Sequence, residues 1–220
     1  MKFILQGIIS HKQFTRDKFL QRKLSEIIRI YLAKYEAGVS HPMQCLLVSG
    51  HDPVSCLVAE LCLEEINKVS RECLTRNKSI SVNCLKYLDH CLQSPPPHLT
   101  ELLISRSLTS LLDLLSSSHD KSVRNPIISI LKIILSHDSV LWHQEIITRK
   151  LQTYVKSNLG FYSDKVFDTL KVINMLNSEV ISSMIPSLSV EVENVEKKRG
   201  TGADSKLRKA LSDLEKNVIN

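Results

Sequence analysis

Glycine and proline are scarce in this 220-residue chain, six and seven in number, and aromatic residues make up only 5% of it. So few turn formers argue against a β-sandwich, while the abundance of Leu, Ile, Ser and Lys suits helices. No apolar run approaches the roughly 20 residues of a membrane span, so no membrane association is expected. The six cysteines, Cys45, Cys56, Cys62, Cys73, Cys84 and Cys91, include no CxxC pair and are not followed by histidines at zinc-site spacing. This speaks against both a zinc site and a disulfide framework, and the cysteines read as small buried hydrophobes in a reducing compartment. The apolar opening, residues 1–10, is too short for a signal peptide and has no small-residue cleavage site before His11 and Lys12. Secretion is therefore not expected, and the sequon Asn77-Lys78-Ser79 carries no chemistry. The same opening predicts that residue 1 sits inside a helix of a longer protein.

Catalytic signatures are missing as well. Gly200-Thr201-Gly202 lacks the third glycine and the preceding strand of a nucleotide-binding fingerprint, and there is no GxxxxGK, HExxH or GxSxG. His143-Gln144-Glu145 matches the first half of a deaminase signature without the PCxxC that completes its zinc site. His90, Cys91 and His98 offer a metal three donors and no fourth. Glu64 and Glu65 are adjacent on a helix and point in different directions, so they cannot pair as acid and base. The expectation is a protein that is not an enzyme, with no cofactor, no metal and no small-molecule substrate.

What is present is helical periodicity. Between Thr15 and Tyr35, the side chains Leu20, Leu24, Ile27, Ile28, Tyr31 and Tyr35 share a wedge of the helical wheel, with Lys18, Arg22 and Arg29 well away from it. Gly38 and Pro42 stop that helix. Further helices are predicted from Val54 to about Leu74, from Ser79 to Gln93 and from His98 to Ser116, with Pro95-Pro96-Pro97 read as a loop between them. Val123 to Ser136 follows, then Ser139 to Lys156 with a stop at Asn158-Leu159-Gly160, then Ser163 to Leu176. Ser182 to Val192 is apolar but interrupted by Pro186 and reads as a short helix.

Two of these segments form a matched pair. The leucine-rich His98 to Ser116 is followed by a short turn with Asp120, then by Val123-Arg124 and a helix apolar nearly all round, Ile127 to Leu135. Such a helix must be covered on several sides, as the inner helix of a stack is. The pair resembles a HEAT-type repeat, with Pro126 as a departure that is tolerable only in about the first turn of its helix. The fold class predicted is all-α, a right-handed α-solenoid of HEAT or armadillo-like helical pairs over residues 1–190, with residues 191–220 a charged hinge and terminal amphipathic helix. From the N-cap Asp204 onward, Leu207, Leu211, Leu214 and Val218 make a narrow stripe suited to docking into a partner's groove.

The formal net charge is +6. Arg22 and Arg29 in the first helix, with Lys12, Arg16 and Lys23 nearby, are candidate phosphate contacts without interleaved aromatics, and Lys197-Lys198-Arg199 is a second basic candidate. A solvated basic face is the plain alternative for both.

The run from Glu193 through Glu196-Lys197-Lys198-Arg199-Gly200-Thr201-Gly202-Ala203-Asp204 to Leu207-Arg208 resembles the C-terminal tail of the S-phase genomic-integrity recombination mediator family, upstream helices agreeing only in style. That resemblance implies a nuclear helical scaffold, partnered by the tonsoku-like protein, which recognises newly replicated chromatin and promotes recombinase loading at damaged forks. It carries over no catalytic residue, only the shared motif Lys197 to Asp204. A cytoplasmic HEAT or armadillo scaffold in cytoskeletal or membrane-trafficking assembly would use the same repeat.

Overall fold

The computed structural model describes residues 17–33, 62–67, 78–92, 101, 103–135, 141–200 and 205–219. Gly38, Pro42, the cysteines Cys45, Cys56 and Cys73, the proline run 95–97, His98 and the opening residues 1–10 lie outside them, as do the side chains of Arg29, His90, Cys91 and His143. Among the described residues the chain is helical, with one π-helical turn and breaks only at Asp17, residues 118–120, Asn177 and Gly200, and it has no strand. It divides into two compact units, Met1–Leu103 and Ile104–Asn220.

In the first unit, helix α1 (Lys18–Ala33) packs on helix α2 (Lys78–Leu92). Cys84, Leu85, Tyr87 and Leu88 of α2 are fully buried, as are Cys62 and Ile66 in the helical residues 62–67. Cys62 and Cys84 both fill core positions as small buried side chains. Leu20 and Ile27, expected in the buried wedge of α1, are 42% and 47% exposed. They flank a face on which Phe19 and Ile30 are more exposed still, so the inward face is rotated away from them.

The second unit begins inside the π-helical turn Leu103–Ser107, one residue after its start, and continues with α3 (Leu108–Ser117) and α4 (Lys121–Leu135), which pack together across the turn 118–120. Asp120 builds that turn. Its carboxylate accepts from the Ser122 amide and hydroxyl at 2.8 Å each, capping α4, and its carbonyl accepts from the Val123 and Arg124 amides. Val123 enters the core at 1% exposure. Arg124 reaches back, Nη1 donating to the carbonyls of Leu115 at 2.6 Å and Ser118 at 3.2 Å, and so closes the end of α3 where backbone acceptors lack helical partners. Ile127, Ile130, Leu131 and Ile134 are buried while Ile128 and Ile133 are half-buried, so α4 is covered over most of its circumference. Pro126 is the sixth residue of α4, at the start of its second turn; the carbonyl it leaves unpaired belongs to Ser122, an exposed residue, where water can serve it.

Helix α5 (Leu141–Leu176) is two arms joined at Tyr162, whose φ of −132° and ψ of 45° are not helical. The break comes two residues past Gly160, because Asn158 does not stop the helix: its side chain donates to the Tyr154 carbonyl one turn back. Helix α5 packs against α3, α4, α6 (Ser178–Arg199) and α7 (Ser205–Ile219) and so lies at the centre of the unit.

Helix α6 departs most from expectation. It runs through Pro186 and through residues 191–199, which were expected to open a hinge. Pro186 and Ser182, the residue whose carbonyl it leaves unpaired, are both exposed, so the loss is borne on the solvent side. Val180, Met184, Leu188, Val192 and Glu196 recur every four residues along the buried face. Asn177 caps the N-terminus, its Oδ1 accepting from the amides of Glu179 and Val180, and its Nδ2 donates to the Leu135 carbonyl at 2.9 Å, tying α6 to the end of α4.

Candidate functional site

Three groups of side chains outside the apolar core bear on function. The first joins α3 to both arms of α5. Asp113 of α3 accepts a side-chain hydrogen bond from Asn158. The Tyr154 hydroxyl donates to Thr169 Oγ1 at 3.3 Å, and that hydroxyl donates in turn to the Lys165 carbonyl at 2.9 Å. Burial pushes the Asp113 carboxyl above its ordinary value against the pull of Asn158. Burial likewise raises the Tyr154 phenol, opposed by hydrogen bonds with Ser116 and Thr169 and reinforced by the Asp113 charge. Each donor is engaged by an acceptor on its own or a neighbouring helix, so the arrangement joins elements.

The second group clamps the C-terminus. Glu196, 5% exposed, occupies the last position of the buried stripe of α6. Arg208 on α7 satisfies it with Nε at 3.1 and 3.0 Å from the two carboxylate oxygens and Nη2 at 2.8 Å from Oε2. This is a two-pronged pairing of the kind guanidinium geometry favours. Gly200 ends α6 at φ +65°, the left-handed region that glycine enters without strain. Asn174 Nδ2 on α5 donates to the Asn217 carbonyl at 3.2 Å, pinning the far end of α7. The stripe expected to dock into a partner lies inside this clamp: Leu207, Leu211 and Leu214 are 2%, 8% and 0% exposed, and Val218 is half-buried. The groove that α7 fills is formed by α5 and α6 of the same unit.

The third group is a basic rim. Lys197, Lys198 and Arg199 are exposed in the last turn of α6, where cations also complement the negative end of the helix. Lys197 lies 3.9 Å from Glu193, and Arg199 Nη2 donates to the Gly160 carbonyl at 3.0 Å beside the break in α5. Arg22 is exposed on α1, in the other unit. A groove of about 420 Å³ opens between the first arm of α5 and α6, lined in part by Arg149, Gln152, Met184, Ser187 and Glu191 and bridged by Gln152 Nε2 donating to Ser187 Oγ at 3.2 Å.

The sequence shows Glu196 and Arg208 only as members of the C-terminal run and does not reveal that they pair, and sequence reasoning missed Asn177 and the exposed aromatics Phe161 and Tyr162. The four-residue spacing Met184, Leu188, Val192, Glu196 was a usable signal for the carboxylate, since it continues an apolar stripe into it. Among the described residues no group of three or more His, Cys, Asp or Glu could hold a metal, and no helix is long and apolar enough to cross a membrane.

Fold and surface together define an all-α chain whose described polar clusters join helices and whose termini of helices carry exposed charge. More narrowly, the chain belongs to the S-phase genomic integrity recombination mediator family, whose C-terminal region matches it over residues 1–218. The resemblance first read from Glu193 to Arg208 is borne out over nearly the whole chain. The protein MMS22-like of Danio rerio is 31% identical over 67 residues, a match that takes in 30% of this chain and 5% of that protein, so the chain spans a small part of its relative. Among solved structures, an engineered protein is similar with a TM-score of 0.37 and 15% identity, over 99% of this chain and 96% of that one.

Proposed function

We propose that the chain is a non-catalytic, protein-binding helical-repeat module of a nuclear complex that repairs stalled or damaged replication forks by homologous recombination. The family match over residues 1–218 carries this reading, because the family's own description places it in S-phase genomic integrity and recombination. The fold supports the repeat part of it. In α3, the turn at Asp120 and α4, an Asp caps the second helix, a Val enters the core and an Arg closes the first helix, so each residue of the HEAT-like signature has a mechanical task. Pairs built this way bury their apolar faces against neighbours and leave exposed ridges and grooves as binding surface. The groove between α5 and α6 is such a surface.

The partner in this reading is the tonsoku-like protein, with chromatin or DNA reached through the assembled complex. Affinity purification of the tagged chain from nuclear extract tests it. Recovery of the tonsoku-like protein with histones is the expected result; recovery of tubulin or coat proteins in their place would overturn the nuclear assignment.

A further inference from the structure

We propose that the tip where the two arms of α5 meet the end of α6 binds single-stranded DNA. Phe161 and Tyr162 sit at the break in α5 and are 83% and 57% exposed. Exposing two rings side by side on a chain with so few aromatics leaves apolar area in water that a partner would cover. The rings are 6.4 Å apart and tilted by 49°, so they do not stack on each other, and their exposure leaves ring surface on which a base can stack.

Cations surround this platform. Lys165 Nζ lies 5.5 Å from the Tyr162 ring centroid, and Lys156 is one helical turn before Gly160. The Arg199 bond to the Gly160 carbonyl brings the basic end of α6, with Lys198, to the same place. Of the carboxylates on these turns, Glu193 is engaged with Lys197, Asp168 with Lys171 and Glu196 with Arg208, while Asp164 is exposed. Cations beside open aromatic faces are what an unpaired strand requires, phosphates meeting the charge and bases meeting the rings. A duplex hides its base faces and would use only the charge. The choice of DNA over RNA is the one step that rests on the proposed function.

Fluorescence anisotropy with a labelled oligothymidylate of about 20 nucleotides, using the full chain, tests the assignment. Binding should weaken as salt rises from about 50 to 200 mM, as phosphate contacts require. The double variant Phe161→Ala, Tyr162→Ala should lose roughly fivefold or more at every salt concentration. Lys165→Gln with Lys198→Gln should instead flatten the salt dependence, by roughly one unit of slope. All four side chains are exposed, so helical circular dichroism should be unchanged in both variants. Three results would overturn the proposal: no binding at the lowest salt, wild-type affinity in the folded aromatic variant, or tighter binding of duplex or of oligouridylate. None of these outcomes depends on recovery of the tonsoku-like protein, so the two readings fail separately.

Discussion

Asp113 shows how one residue sets a pH dependence for the second unit. It lies four residues from the end of α3, half-buried against α5, where both desolvation and the negative end of its own helix disfavour its charge. Its folded carboxyl therefore binds a proton more readily than it does in the unfolded chain. A raised acid favours the fold below its ordinary value and opposes it as pH climbs through the raised one. Asp113→Asn, which can still accept from Asn158, should raise Tm at neutral pH by roughly 2 °C. In thermal melts followed by circular dichroism, that gain should vanish by about pH 3, where the wild-type carboxyl is protonated in both states. Glu196 is the contrasting case. It is more deeply buried yet keeps its place in an apolar stripe because Arg208 supplies three close contacts.

The elements hold together at their ends as much as along their faces. Arg124 closes α3, Asn177 opens α6 and also closes α4, and Arg199 closes the first arm of α5. Each places a side chain where a helix leaves backbone groups without partners, which is where one hydrogen bond counts most. Asn177→Ala removes both the cap of α6 and the bond to Leu135. It should cost about 1–2 kcal/mol in urea unfolding, with Asn177→Asp losing less because the cap survives. The helix periodicity in the sequence located α1, α2, α4 and α7 to within a few residues, since an apolar stripe needs no knowledge of its partner. It shortened α6, because proline and a cluster of charges ordinarily signal a boundary. Here both lie on the solvent side, while the stripe beneath them continues to Glu196.

At the scale of the molecule, the division after Leu103 places α3 to α7 in a unit with its own core and its own end clamp. A fragment of residues 104–220 should therefore unfold cooperatively on its own, seen as a single sigmoidal loss of helical ellipticity on heating. A gradual, non-cooperative loss would mean that the core needs the first unit.

The sequence by itself determined the helical class, the turn chemistry at Asp120 to Arg124 and the family signature near the C-terminus, because these depend on residues within a turn or two of one another. Only the tertiary structure decided what the terminal stripe touches, which carboxylate Arg208 pairs with, and that Phe161 and Tyr162 stand beside Arg199. A helical wheel states which side chains share a face. Whether that face meets its own chain or a partner depends on how distant helices pack, and the pattern along a single helix does not contain that information.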